Sequence, residues 1–127
     1  MNLVDSSGWL EYFADGPNAR FFGSAIEELD KLIVSSINIL EVFKRLLQQR
    51  GETDALKAVA HMQQGHVVDL DASLALRAAR ISLDLKLPLA NSVLLATARA
   101  YKADLWTQDT DFEGLEGVKY VARRQGH

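Results

Sequence analysis

The stretch LPLANSVLLATARAYKADLWTQDTDF, residues 87–112, decides the fold. Its Ala- and Leu-rich part after Pro88 is typical of a helix, which we predict over residues 89–102. A short apolar segment follows, and we predict it to be a buried strand over residues 104–107. The strand ends directly in an acidic loop that contains Asp109 and Asp111. In sheets of this kind, functional side chains collect beyond the carboxyl ends of the strands.

The same alternation of helix and strand extends outward through the rest of the chain. We predict further strands over residues 2–5, 32–35, 66–70 and 118–122, and helices over residues 9–13, 17–30, 37–50, 53–64 and 71–87. Strands that recur between helices need crossover connections, which produce a mainly parallel sheet covered on both faces. The sequence therefore predicts an α/β fold, a three-layer α/β/α domain with a sheet of four or five strands. We expect the 127 residues to form a single domain, 1–127.

Composition narrows the functional classes. The chain has no cysteine, which excludes disulfides, zinc–thiolate sites and thiol nucleophiles. It has no apolar run of about 18 residues, the length that a membrane span requires, and its first residues lack the pattern of a secretory signal. We therefore expect no membrane association and a cytoplasmic location. The net charge of −3 counts mildly against a nucleic-acid binder, unless several of the acids surround a metal.

Several polar side chains occupy positions at strand ends and helix starts. Asp5 ends the first predicted strand, Glu41 lies early in the helix over residues 37–50, and Asp109 with Asp111 follows the strand over residues 104–107. Asn91 lies near the start of the helix after Pro88. Mg²⁺ and Mn²⁺ prefer such oxygen ligands, keep bound water and stabilise charge that develops on a phosphate. A cluster of acids without a cation would instead repel one another and raise their pKa values.

Each of these residues also has a structural interpretation. Asp5 and Asn91 are good helix N-caps, and Asp109 suits an Asx-turn in a polar loop. Glu41 precedes Arg45 by four residues, a favourable spacing for an exposed pair on a helix. Residue types alone leave both interpretations open, and only the joint placement of the acids favours a metal site.

Three stretches resemble the PIN-domain family, and in particular its toxin ribonucleases of the VapC type. LVDSSGWLEYF, residues 3–13, resembles the opening strand of the family with its first acid. VSSINILEVFK, residues 34–44, resembles the second motif, and residues 87–112 resemble the third and fourth motifs together. The resemblance extends from about residue 2 to residue 121. It implies a Mg²⁺-dependent endoribonuclease, with Mn²⁺ as a possible substitute.

The resemblance also implies roles for individual residues. Asp5 corresponds to the acid that contacts the metal and helps to orient the attacking water, and Glu41 to the acid that holds the metal or its water. Asp109 corresponds to a further metal ligand, and position 91 to another. Three supporting residues are implied beside them, and these are Ser6, Thr107 and Asp111.

Position 91 departs from the family pattern, which has Asp where this sequence has Asn. Asn keeps the shape and one carbonyl oxygen of Asp but loses the negative charge and cannot act as a base. We therefore expect lower metal affinity and reduced or abolished cleavage. A naturally weakened relative and a deliberate substitution that disarms a toxin both account for Asn91. The alternative function is a PIN-like module that binds protein or RNA without cutting it.

The partners implied by the resemblance are an RNA substrate, a cognate antitoxin and a second copy of the chain in a homodimer. Two pairs of arginines could contact RNA phosphates, Arg77 with Arg80 and Arg123 with Arg124, although exposed basic residues are also common on ordinary surfaces. The aromatic side chains near the N-terminus, which include Trp9 and Phe22, suit either a core or part of a binding groove.

Overall fold

The computed structural model describes residues 1–125 and contains five strands, six α-helices and two short 3₁₀ turns. The strands are β1 Asn2–Val4, β2 Leu32–Ser35, β3 His66–Val68, β4 Asp104–Thr107 and β5 Val118–Tyr120. The helices are α1 Ser6–Phe13, α2 Ala19–Ile26, α3 Ser36–Arg50, α4 Glu52–Met62, α5 Ala72–Leu85 and α6 Leu89–Ala100. The 3₁₀ turns are Leu29–Lys31 and Thr110–Phe112. The last two residues of the predicted domain, 126–127, lie outside the described residues.

The five strands form one sheet in the order β3-β2-β1-β4-β5, and every neighbouring pair is parallel. The predicted α/β fold is confirmed, with five strands rather than four. After β1 the chain moves outward to β2 and β3, and it then returns to β4 on the other side of β1. In open parallel sheets, ligands bind at the point where this direction reverses. Here that point lies between the carboxyl ends of β1 and β4.

The helices cover both faces of the sheet, as a three-layer fold requires. Leu3, Ile33 and Leu105 project from the strands into a core formed with α5 and α6. Val4 and Val34 project to the opposite face, into a second core formed with α1 to α4. That second core takes up the aromatic residues Trp9 and Phe22, both fully buried, so these two side chains are core rather than groove.

Several predicted elements end earlier than expected. The strands predicted over residues 2–5, 66–70 and 118–122 end at Val4, Val68 and Tyr120, and the helices predicted over residues 53–64 and 89–102 end at Met62 and Ala100.

Three further helices also need correction. The first helix begins at Ser6 rather than residue 9, because the Asp5 side chain caps it. The helix predicted over residues 17–30 is α2 alone, preceded by a turn and followed by a 3₁₀ turn. The helix predicted over residues 71–87 ends at Leu85, because Lys86 adopts the left-handed conformation, with φ 56°, two residues before Pro88.

Within residues 1–125, no single helix is long and apolar enough to cross a membrane. The helices α5 and α6 reach the required length and composition only when taken together, and a 115° bend separates them.

Candidate active site

Asp5 is the most deeply placed acid of the site. It directly follows β1 and is only 3% exposed. Its Oδ1 accepts hydrogen bonds from the Gly8 backbone N–H at 2.8 Å and from the Ser7 hydroxyl at 3.0 Å. Burial raises the pKa of Asp5 to about 6, against the lowering effect of its hydrogen bonds, and the nearby charge of Asp109 adds to the rise. Asp5 is thus the N-cap of α1 and also a carboxylate with a perturbed pKa.

Thr107 connects Asp5 with the acidic loop after β4. Its buried hydroxyl donates to Asp5 Oδ2 at 2.7 Å and accepts from the Asp109 backbone N–H at 2.9 Å. Asp109 Oδ1 accepts from the Asp111 backbone N–H at 2.9 Å, as in the Asx-turn considered from the sequence. The turn and the acidic site therefore coexist, because the turn uses one oxygen of Asp109 and leaves Oδ2 for other partners.

Asn91 lies on the first turn of α6 and faces the acidic loop. Its side-chain amide donates to Asp109 Oδ2 and to Asp111 Oδ2, at 3.3 Å in each case. The N-cap of α6 is Pro88, so the N-cap interpretation of Asn91 is wrong. The amide N–H groups instead bridge two carboxylates, in the place where an Asp at this position would bring a third negative charge.

A chain of hydrogen bonds fixes Glu41 to Ser6, the residue that follows Asp5 in the sequence. The Ser6 hydroxyl donates to Glu41 Oε1 at 2.7 Å, and the fully buried Asn38 donates from Nδ2 to Ser6 Oγ at 3.1 Å. Asn38 is itself fixed by the Ser35 backbone N–H, which donates to its Oδ1 at 3.0 Å. Among residues 1–125, Glu41 forms no ion pair with Arg45, so the surface-pair interpretation is wrong.

A second buried network supports the loop from the other side. Gln108, only 2% exposed, accepts a hydrogen bond at 3.0 Å from the Nδ2 of Asn18, which is 1% exposed. Asn18 Nδ2 also donates to the Ala122 carbonyl, and its Oδ1 accepts from Arg124 Nε at 3.1 Å. Gln108 Nε2 in turn donates to the Ser7 carbonyl at 3.4 Å. The segment after β5 is therefore tied to residues that adjoin Asp5 and Asp109.

Sequence reasoning missed Asn38, Asn18 and Gln108. For Asn38 a signal was present, because it falls on the apolar stripe of α3 with Val42 and Leu46, where a polar residue needs a buried partner. Asn18 and Gln108 follow a proline and a strand end, and nothing local distinguishes them from ordinary loop residues.

The four arginines proposed as phosphate contacts lie in different surroundings. Arg124 is held by Asn18 and by the Pro17 carbonyl, to which its Nη2 donates at 2.9 Å. Arg77 borders a groove between α5 and the ends of β3 and α6 that also contains Asp69 and Asp71. Arg80 and Arg123 are exposed. The structure brings none of the four to the acids listed above through a hydrogen bond or ion pair among residues 1–125.

The side chains of the site are of the type that binds a hard divalent cation, but they include fewer carboxylates than the family pattern implies. Asp5, Asp109 and Asp111 offer carboxylate oxygens, the ligands that Mg²⁺ and Mn²⁺ prefer. Asp109 and Asp111 already converge on one amide group, which shows that their oxygens can share a positively polarised partner. Yet no group of three His, Asp or Glu side chains in residues 1–125 is close enough to hold a metal. With Asn91 in place of the Asp of the family pattern, the set of possible metal ligands has one negative charge fewer.

Comparison with known proteins identifies the family. Residues 3–118 match the model of the PIN domain. The chain belongs to the PIN domain family. This is a family of nucleases, and its fold and acidic strand ends agree with the geometry described above. Comparison with curated protein sequences gave no match.

Several solved structures share the fold of this PIN domain. A toxin–antitoxin complex from Klebsiella pneumoniae is 25% identical, with a TM-score of 0.77 over 94% of this chain and 96% of the other. VapC20 from Mycobacterium tuberculosis, described as a toxin that cleaves the sarcin–ricin loop, is 17% identical, with a TM-score of 0.72 over 88% and 92%. DNA-bound VapBC from Salmonella typhimurium is 15% identical, with a TM-score of 0.72 over 96% and 98%. The resemblance to VapC-type PIN domains is confirmed.

Proposed function

We propose that this PIN domain is a toxin endoribonuclease that hydrolyses RNA phosphodiesters with Mg²⁺ or Mn²⁺, and that Asn91 impairs it. The observation that carries the proposal is the position of Asp5 and Asp109 on either side of the β1–β4 switch point, joined through the Thr107 hydroxyl. A polar site at that point is where an α/β sheet binds its ligand. The toxins from Klebsiella and Mycobacterium named above support the assignment to a toxin.

The chain's own residues would divide the work as follows. Asp5, Asp109 and Asn91 would hold the cation, with Glu41 contacting the cation or its water. The chemistry supplied when a cation is bound is a hydroxide at neutral pH and neutralisation of the charge on the phosphate. Thr107 keeps Asp5 Oδ2 in place, and Ser6 orients Glu41. Asp111 fixes the loop through its backbone N–H and contributes a second acid to the Asn91 contact.

Cleavage of RNA by this chain and by its Asn91→Asp variant tests the proposal. We expect the variant to cut with Mg²⁺ or Mn²⁺ and to stop in EDTA, and the present chain to be slower by about a hundredfold or more. The double variant Asn91→Asp/Asp109→Ala, which lacks the acid next to Thr107, is the matched control for contaminating nuclease and should be inactive. Failure of the Asn91→Asp variant to cut any RNA in either metal would contradict the proposal.

A non-catalytic module is the second candidate, and the Asn91 contact favours it. The amide satisfies both acids of the loop at once, so this site is stable as an electrostatic unit without a cation. Such a domain would bind RNA or protein and leave both intact. It would show no metal-dependent cleavage even with Asp at position 91, which separates it from the nuclease.

The proposed partners are a cognate antitoxin and a second copy of the chain. The named complexes from Klebsiella and Salmonella contain a toxin with its antitoxin, and we carry this pairing over as part of the proposal. For the homodimer, α5 exposes Leu76 and Leu83, seven residues apart, and Leu89 opens α6; these side chains are 67%, 80% and 71% exposed. Apolar side chains so exposed favour association. Light scattering of wild type against Leu76→Glu/Leu83→Glu would test it, with a shift to monomer expected.

A further inference from the structure

A groove between α1 and α3 runs alongside the active site and contains two exposed cations. Its principal lining residues are Ser6, Ser7 and Leu10 from α1, and Glu41, Lys44 and Arg45 from α3. Lys44 and Arg45 are both exposed. The groove therefore combines two side chains of the proposed site, Ser6 and Glu41, with two basic side chains.

The two cations of the groove are free to bind a ligand. Ion pairs elsewhere on the surface join Lys31 with Glu28 and Lys119 with Asp104, but within residues 1–125 neither Lys44 nor Arg45 forms one. The nearest acid along the helix, Glu41, accepts its hydrogen bond from Ser6 instead. With one acid and two cations, the lining of the groove carries a net charge of +1.

Two residues that line the groove, Ser6 and Ser7, are hydrogen-bonded to acids of the proposed site. The hydroxyl of Ser7 donates to Asp5, and the hydroxyl of Ser6 donates to Glu41. Because Ser6 and Ser7 are adjacent on the first turn of α1, a ligand that lies along Lys44 and Arg45 is also close to Glu41 and Asp5. A polyanion would be repelled by carboxylates alone, so a site of this kind needs cations close by to hold its backbone.

We infer that Lys44 and Arg45 bind the phosphodiester backbone of single-stranded RNA and guide it past Glu41 to Asp5. This inference rests on the proposed function, since it names the surface that delivers the substrate to that site. Of the arginines predicted to contact RNA, Arg124 already donates hydrogen bonds to Asn18 and to the Pro17 carbonyl. Single-stranded backbone binding of this kind is electrostatic and tolerant of base sequence.

Fluorescence anisotropy with a labelled, mixed-sequence single-stranded RNA tests the inference. The present chain, with Asn91 and in EDTA, is compared with its Lys44→Gln/Arg45→Gln variant over a series of KCl concentrations. The matched variant is Arg99→Gln/Lys102→Gln, which removes the same charge from exposed positions at the end of α6 and just after it. Gln retains part of the side-chain length, and thermal denaturation verifies that all three proteins are folded.

We expect Lys44→Gln/Arg45→Gln to weaken binding about tenfold at low salt and to reduce the slope of log Kd against log salt by about 1.4, because each phosphate contact on a single strand contributes about 0.7. The Arg99→Gln/Lys102→Gln variant should change neither quantity comparably. Unchanged RNA affinity in the groove variant would overturn the inference, and so would an equal loss in both variants. Loss of an acidic protein partner without loss of RNA affinity would likewise overturn it.

The outcome is separable from that of the nuclease proposal. If Asn91→Asp never cuts but the groove variant loses RNA affinity, the groove assignment holds and the nuclease assignment fails. If Asn91→Asp cuts and the groove variant binds RNA as well as wild type, the nuclease assignment holds and the groove assignment fails.

Discussion

The side-chain amide of Asn91 lies 3.3 Å from Asp109 Oδ2 and at the same distance from Asp111 Oδ2. Two neighbouring carboxylates repel each other unless a positively polarised group lies between them, and in this chain the Asn91 amide is that group. An Asp at position 91 would reverse the interaction from attraction to repulsion, which only a cation could offset. This one residue therefore changes both the chemistry of the site and its dependence on metal.

Replacement of Asn91 by Asp should make stability depend on metal. Without metal, the variant loses two hydrogen bonds to charged groups and gains repulsion, so we expect it to be less stable by about 1–3 kcal/mol. Mg²⁺ or Mn²⁺ should recover that loss, because a ligand that binds the folded state stabilises it. Thermal denaturation in EDTA and in increasing Mn²⁺ measures both effects.

Asn91→Ala is the control for this comparison, because it removes the donors without adding a charge. It should be destabilised in EDTA but gain little from Mn²⁺. Equal stability of the Asp variant and the wild type in EDTA, with no response to metal, would show that the three side chains do not interact as described.

The buried carboxyl of Asp5 should make metal-free stability fall as the pH rises. Its pKa is about 6 in the folded protein against an ordinary value of 3.8, so the folded state retains the proton over a range in which the unfolded chain has lost it. The contribution of Asp5 to the free energy of unfolding is fully present below about pH 4 and is lost as the pH rises to about 6. Relative to Asp5→Asn, the wild type should lose roughly 3 kcal/mol across this range.

Urea denaturation of wild type and Asp5→Asn in EDTA at several pH values measures the difference. The Asp5→Asn variant is the reference for the wild type, because the two proteins share every other titrating group. A difference that stays constant with pH, or that favours the wild type as the pH rises, would show that the pKa of Asp5 is not raised.

Ser6 should affect both catalysis and stability, because its hydroxyl donates to Glu41 and accepts a hydrogen bond from the buried Asn38 Nδ2. In the Asn91→Asp background, Ser6→Ala removes the 2.7 Å hydrogen bond that orients Glu41 and should slow RNA cleavage about tenfold, which corresponds to the loss of one hydrogen bond. Ser24→Ala is the matched control, because that hydroxyl donates only to the Arg20 carbonyl on the exposed side of α2. Equal rates for the two Ser variants would remove Ser6 from its assigned role.

Arg124 should stabilise the fold, in contrast to its neighbour Arg123. Arg124→Ala loses the hydrogen bonds to Asn18 and Pro17 and should cost about 1 kcal/mol of unfolding free energy, because the contacts are only partly buried. Arg123→Ala, which changes an exposed residue, should remain within about 0.5 kcal/mol of wild type. Urea denaturation of both variants measures the difference, and a larger effect at Arg123 would contradict the hydrogen-bond assignment.

The sequence by itself determined the order of the helices and strands, and it placed the acids Asp5 and Asp109 near the carboxyl ends of their strands. The Ala- and Leu-rich segment before β4 became α6, and the apolar run after it became a buried strand, because local propensity and hydrophobic pattern act over a few residues. Asp5 and Asp109 could be predicted as candidates for the same reason, since Asp5 directly follows a buried strand and Asp109 lies two residues after one. Position 91 could be recognised as unusual only through the resemblance to PIN domains.

Only the tertiary structure decided what these side chains contact. Asn18 meets Gln108 across 90 residues of sequence, and Asn38 meets Ser6 across 32. Such pairs depend on β1 lying between β2 and β4, which long-range packing of the sheet determines and no local pattern reveals. The same packing turned Asn91 from a candidate helix cap into the partner of two carboxylates, because α6 begins directly opposite the loop after β4.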